Sequence, residues 1–520
     1  MKSHLLLLFT LVCGQVAAQT PAPSQPRVIS LDVKKVRGPL NKAFDLCVGA
    51  GRANEGLRAD WQQQLALAQK ECGFRYLRFH GLLHDDMGVY AEDRQGNAVY
   101  NWQYTDKLYD FLLSIHVRPF VELSFMPSAL KSAEKTVFWW KANVSPPKSY
   151  PKWEALITAL VRHWEQRYGR KEVESWYFEV WNEPNYPAFF SGTQADYFLL
   201  YASTARAVKS VSASYRVGGP ASSGTGWIDE TLAYCAANKV PLDFISTHDY
   251  GVTEGGLDEF GQGQQHLGDP NAIARHTAAV RAKIAASAFP KIELHLTEWS
   301  TSYSPHDPVH DSYESAAYLL NTLKQTEKTA TSMSYWTFSD IFEEAGPPLT
   351  PFHGGFGLLN LQGIRKPAYF AYKYLHELGP QELQNADPAS WATTDAAGNV
   401  QVLLWNFTAP PQGPQNNQVY FVKKHPAPAA PPVTLALRNL PPGRYATEAH
   451  RVGYGQNDAY TAYLNMGRPS ELSRQQVADL QRLTMDPPLA SPSLQAGPYG
   501  LKLHFQLHEN DVLLVKLRKL

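Results

Sequence analysis

Residues Tyr177–Asn185 read YFEVWNEPN. The aromatic and β-branched residues at its start are those that fill a pleated, half-buried surface, so the run is a strand. Pro184 then stops it, having no N–H to give to a ladder. A carboxylate, Glu183, stands at that stop. Either the strand ends in an ordinary polar turn, or its end aims an acid at something, and the neighbouring runs decide between the two.

Seven further runs share this strand character: LCVGAG, YLRFHG, RPFVELSF, YRVGGPA, FISTHDYG, IELHLTEW and MSYWTFSD. Between them lie segments with apolar residues at helical spacing, such as ADWQQQLALAQKEC, TDKLYDFLLSI and PKWEALITALVRHWEQRYG. Eight strands alternating with helices over residues 45–375 predict a (β/α)8 TIM barrel, a fold of about 250 residues before insertions. A doubly wound open sheet is the competing fold. It ranks lower because polar residues recur at the carboxyl ends of many runs, not at one switch point.

After residue 375 the texture changes to short strands divided by Pro and Gly: NVQVLLWNF, NQVYFVKKH, VTLALRNL, GLKLHFQL and NDVLLVKL. That pattern predicts an antiparallel β-sandwich over residues 376–520. Residues 19–44, with RVISLDVKKV, are expected to pair into it. Residues 1–18 read as a signal peptide: Lys2, a short apolar stretch, then Val16–Ala18 as a small-residue cleavage site. Export to the periplasm or the medium is therefore expected. That apolar stretch is too short to span a membrane, and no later segment resembles a span.

Lys plus Arg and Asp plus Glu number 48 each, which argues against a nucleic-acid surface. Beyond the leader, Cys47, Cys72 and Cys235 offer neither a disulfide framework nor a CxxC metal pair, and read as small buried apolar residues. His84–Asp86, HDD, lies in a loop with no further ligand set. No metal or other cofactor is expected.

In a barrel, side chains at the carboxyl ends of the strands surround the active site. Glu183 ends the fourth strand and Glu298, in LHLTEWS, ends the seventh. Two carboxylates facing each other across such a mouth are machinery for cleaving a glycosidic bond: one protonated to donate to the leaving oxygen, the other ionised to attack. A neighbouring charge and partial burial separate their pKa values and so allow the division. Glu179, four residues before Glu183, reads as structural.

The motifs VGAGRANEGLRADWQQQL, YLRFHGLLHDDMGVY, FEVWNEPN, STHDYG, LTEWSTSY, SYWTFSDIFEE and GGFGLLNLQGIRKPAY, in this order, resemble glycoside hydrolase family 39 over most of the chain. The resemblance implies a retaining mechanism with Glu183 as acid/base and Glu298 as nucleophile. It implies that Asn182 bonds the sugar 2-hydroxyl, that Trp336 lies under the sugar, and that one of Glu343 and Glu344 reaches sugar hydroxyls. His80 ends the second strand and is a candidate to bond a hydroxyl, with Arg78 on the same face as a candidate to orient a carboxylate. His248 and Tyr250 end the sixth strand, and Tyr250 is a candidate partner of the nucleophile.

Family activities centre on β-xylosidase and α-L-iduronidase. An iduronate carboxylate calls for cationic residues, and the iduronidase branch is expected to carry Lys near the end of the sixth strand, where this chain has HDY. The expectation is a β-xylosidase-like enzyme acting on an oligosaccharide or glycoside. The alternatives are specificity for arabinose-, glucose- or galactose-containing glycans or for iduronate. Outside the enzymes, the rival is a carbohydrate-binding protein on an inactive barrel, which would lack one of the two carboxylates.

Overall fold

Eight parallel strands close into a barrel in chain order: Cys47–Arg52, Tyr76–His80, Arg118–Leu123, Tyr177–Val180, Arg216–Ser222, Phe244–Tyr250, Glu293–Ser300 and Ser332–Tyr335. The structure is a computed structural model that describes residues 26–254, 263–489 and 492–520. The expected leader, residues 1–18, lies outside the described residues. Among the described residues no helix is long and apolar enough to cross a membrane.

Helices cover the barrel for the reason their sequences suggest. In Tyr150–Tyr168 the buried residues are Trp153, Leu156, Ile157, Leu160, Val161 and Trp164, one stripe at spacings of three and four. Each such side chain contributes roughly 1.5–3 kcal/mol when fully buried. Pro151 sits in the first turn, where its missing N–H costs nothing, and Gly169 ends the helix at φ 84°.

Inside the barrel, side chains alternate in and out with period two, which builds it in layers. At the amino-terminal end Cys47, Tyr76, Phe120, Tyr177 and Phe244 form an apolar plug, with Phe120 stacked on Tyr177 at 4.8 Å. Two residues further along the same strands come Gly49, Arg78, Glu122 and Glu179. The next inward positions reach the mouth. Gly49 is required there, because a Cβ at that position would overlap the Trp336 ring.

Beyond the barrel, a seven-stranded sheet runs in the order Val36–Pro39, Gln381–Leu383, Ser390–Thr394, Val400–Trp405, Val512–Lys519, Gly443–Val452, Ser493–Ala496. A three-stranded sheet of Arg27–Asp32, Val433–Arg438 and Leu501–Phe505 packs on it through Ile29, Leu31, Val402, Leu404, Leu435 and Leu517. The amino-terminal segment thus supplies one strand to each sheet.

Two features differ from the sequence reading. Asn417–Tyr420, inside NQVYFVKKH, is a helical turn and not a strand; the Asn416 side chain caps it by accepting the Val419 N–H, and Asp307 holds Asn417 at 2.8 Å. Two helices, Ala459–Asn465 and Arg474–Leu483, interrupt the sandwich and pack on Phe352 of a barrel loop. Their signals were local: Asp458 caps the first, and Ser473 with Gln476 forms a capping box on the second. Cys47, Cys72 and Cys235 are buried and unpaired.

Candidate active site

The turn after the fourth strand is held in a costly shape. Trp181 (φ 73°) and Glu183 (φ 44°) both occupy the left-handed region, at about 1–3 kcal/mol each for residues with a Cβ. Several bonds fix it there. The Glu183 N–H donates to the Ala221 carbonyl at 2.9 Å, the Trp181 indole donates to the Phe189 carbonyl at 2.9 Å, and the Asn185 side chain clasps the Ser223 backbone at 2.8 and 2.9 Å. The Glu183 carboxyl is thereby tied to the end of the fifth strand and turned into the mouth.

There it meets Glu298. One carboxyl oxygen of each residue and a ring nitrogen of His248 lie within 4.8 Å of one another, so the two carboxyls face each other at close range. Their surroundings differ. Glu298 Oε1 accepts from Arg78 at 2.7 Å and Oε2 accepts from the Tyr250 hydroxyl at 2.6 Å. Glu183 Oε1 lies 2.8 Å from His248 Nδ1.

Burial, and then the charge of Glu298, push the Glu183 carboxyl well above the usual carboxylate range. Burial raises Glu298 as well, but Arg78, His80 and the Tyr250 hydrogen bond oppose it. Glu183 is thus the more strongly raised of the two, and Glu298 is the one whose anion has Arg78 and the Tyr250 hydroxyl as partners. His248 stays neutral: burial, then Arg78 and His80, hold it well below its ordinary value.

Arg78 organises the floor. Fully buried, it reaches Glu179 at 2.5 Å, Glu298 at 2.7 Å, Glu122 at 2.8 Å and the Asn182 side-chain oxygen at 2.9 Å. Because Asn182 accepts through its oxygen, its amide nitrogen is directed away from the guanidinium. His80 Nδ1 lies 2.7 Å from Glu122, and Nε2 lies 3.3 Å from Glu344 and 3.5 Å from Glu298. Burial disfavours the His80 cation, but Glu122 and then Glu344 more than offset this, lifting it to about 10. An imidazolium thus sits between two carboxylates at the bottom of the site.

His80, Asn182, Glu183, His248, Tyr250, Glu298, Trp336 and Glu344 are brought together. Trp336 is 2% exposed, 4.7 Å from the His80 ring and 5.6 Å from the Arg78 cation, so it is a packed floor as well as a site wall. Glu343 is turned elsewhere, bonded to Arg52 at 2.9 Å and Arg58 at 3.1 Å. Glu122 is the residue that motif reading missed. Its signal was available: it interrupts the apolar run RPFVELSF as Glu179 interrupts YFEVW, and the two pair directly across neighbouring strands.

The cluster of Glu183, His248 and Glu298 is compact enough to hold a metal ion. Arg78 already presents a fixed positive charge to Glu298 there, so the set is suited to protons more than to a second cation. Around His84–Asp86, Asp86 is taken up by Arg52 and lies 2.8 Å from His84, and Asp85 accepts the Ser128 N–H at 3.0 Å.

The model of the family "Glycosyl hydrolases family 39" matches residues 27–495. A beta-xylosidase of Geobacillus stearothermophilus is 38% identical over 491 residues, covering 93% of this chain and 94% of its own. The crystal structure of a monomeric beta-xylosidase from Caulobacter crescentus CB15 superposes with a TM-score of 0.92 at 45% identity, covering 95% of this chain and all of that one. An alpha-L-iduronidase of Mus musculus is more distant, 25% identical over 504 residues, 88% of this chain and 74% of its own.

Proposed function

The chain belongs to glycosyl hydrolase family 39, and on that premise we propose that it is a retaining β-xylosidase in which Glu183 is the acid/base and Glu298 the nucleophile. The observation that carries this reading is a close carboxyl pair in unequal surroundings: burial and its neighbour's charge push Glu183 well above the usual carboxylate range, while Arg78 and the Tyr250 hydroxyl bond the Glu298 oxygens. In the first step Glu298 attacks the anomeric carbon as the Glu183 proton passes to the leaving oxygen, and the C–O bond breaks. In the second, the Glu183 carboxylate takes a proton from water, whose oxygen displaces Glu298 from the same carbon. Asn182, oriented by Arg78, and Glu344 with His80 bind hydroxyls of the sugar held over Trp336.

Xylose is favoured over iduronate by the site's own charge. Arg78 and His80 are each taken up by three carboxylates, so a sugar carboxylate would meet acids and not a free cation. The relatives point the same way, the beta-xylosidase being nearer than the iduronidase.

A panel of nitrophenyl glycosides tests the reading, with the β-xyloside expected as best substrate; turnover confined to another glycone would overturn the sugar. Glu298→Ala should lose turnover, and added azide should yield a glycosyl azide of inverted configuration. Activity at the wild-type level in that variant would remove Glu298 from its role. We also infer export through residues 1–18, which the amino-terminal sequence of the mature protein would check: a start near Gln19 supports it and an intact Met1 refutes it.

A further inference from the structure

Glu343 and Glu344 are consecutive acids on the loop after the eighth strand, and that loop is fastened at both of them by other loops. The Glu343 N–H donates to Glu55 Oε1 at 2.9 Å, and the Glu344 carbonyl accepts the Trp139 N–H at 2.7 Å. Arg52 holds one oxygen of the Glu343 carboxylate at 2.9 Å, and Arg58 holds the other at 3.1 Å. Glu344 turns instead to the His80 cation, 3.3 Å away.

Arg52 is the centre of this fastening. It ends the first strand with its side chain 12% exposed, so water and salt screen its ion pairs less than those of the outer Arg58, 41% exposed. Its second terminal nitrogen pairs with Asp86, from the loop after the second strand. Its N–H donates to Glu55 Oε2 at 3.2 Å, and its guanidinium lies 5.3 Å over the Trp140 ring, from the loop after the third. Gly51 leaves the space that Glu55 fills, because a Cβ there would overlap that carboxyl. Four loops of the mouth thus meet at one side chain, and the eighth-strand loop among them carries Glu344. A hydrogen bond weakens steeply once it leaves alignment. A loop displaced by about 1 Å would keep the Glu344 carboxyl in the site yet out of line with the hydroxyl it addresses.

We propose that Arg52 is a positioning residue of the sugar site: by holding Glu343 outward it fixes Glu344 toward the bound sugar, so that recognition of one sugar hydroxyl depends on an ion pair made behind the acid that binds it. The proposal rests on Glu344 being the acid that bonds that hydroxyl. Arg52 acts through Glu344, and its removal is felt at that hydroxyl and not at the others.

The test uses the nitrophenyl glycoside that the wild type cleaves best, together with its monodeoxy analogues. Glu344→Gln first marks the hydroxyl: the analogue lacking it is the one on which this variant loses least against wild type. Arg52→Met, which keeps an unbranched stem and drops the charge, should then lower kcat/KM on the parent glycoside about tenfold, the size of one lost hydrogen bond to a charged group. On the marked analogue the loss should shrink to within about twofold, and on the other analogues it should persist. In the double variant with Glu344→Gln the two losses should not add, because both remove the same contact. Glu343→Gln, which keeps an acceptor for Arg52 without its charge, should repeat the pattern with smaller losses, and it decides the matter alone if Arg52→Met does not fold. Parent activity left unchanged by either variant overturns the proposal. Equal losses on the parent and every analogue overturn it by making Arg52 a general support of the fold, and additive losses in the double variant overturn it by making Arg52 a group that meets the sugar itself. If Glu344→Gln marks no hydroxyl, the reading of Glu344 fails by that measurement, and this proposal falls with it.

Discussion

Tyr250→Phe removes one hydroxyl and one bond, the 2.6 Å donation to Glu298 Oε2. A hydrogen bond to a charged group contributes about 1.5–3 kcal/mol, and one pKa unit corresponds to about 1.4 kcal/mol. Losing the donor destabilises the ionised form of Glu298, so its apparent pKa should rise by about one to two units. With Glu298 as the proposed nucleophile, the acidic limb of kcat/KM, where activity grows as that carboxyl ionises, should move up in pH by that amount. Arg78 remains 2.7 Å away and prevents a larger shift. The basic limb reports the Glu183 proton and should move less, although the pair titrates together and each limb belongs to both groups. The assay is the pH dependence of kcat/KM on the nitrophenyl substrate, with a thermal melt to show that the fold survives. An acidic limb that stays in place, or moves down, would refute the assignment of this bond as the anion's support.

Glu183→Ala should slow hydrolysis of a disaccharide by about 10²–10⁴-fold while sparing formation of the glycosyl-enzyme from a dinitrophenyl glycoside, so a pre-steady-state burst should appear and the basic limb should vanish. Equal loss on both substrates without a burst would remove it as acid/base. Treatment with EDTA should leave activity unchanged, because the proton and charge transfers need no ion; a loss restored by a divalent cation would show that the Glu183–His248–Glu298 group binds one. Gly49→Ala should cost about 1–3 kcal/mol of stability and reduce activity, since the new Cβ and the Trp336 ring compete for one space; an unchanged denaturation midpoint would show that the ring has room to shift.

The eight barrel strands were legible because their apolar and β-branched runs are local, and alternation with helical stripes leaves few ways to bury both. Glu183 and Glu298 were legible for a related reason: every strand of such a barrel ends at the same mouth, so an acid at a strand end has a known destination. The capping box at Ser473 was equally local and marked a helix that a strand-by-strand reading passed over.

Tertiary structure alone decided the rest. Glu343 and Glu344 are neighbours in sequence, and only the positions of Arg52 and Arg58 on another segment draw the first away and leave the second to His80. Glu122 and Glu179 each interrupt an apolar strand, and only the barrel's register places them side by side around Arg78. The unequal surroundings of Glu183 and Glu298 are of the same kind. Both have the same side chain at the same kind of strand end, and what separates their protonation is an arginine 220 residues away from one of them in the chain, brought within 2.7 Å by closure of the barrel. Periodicity is carried by each residue and its near neighbours, whereas a pKa is set by which charges share a few ångströms of desolvated space. Sequence determines the first directly and reaches the second only through the fold.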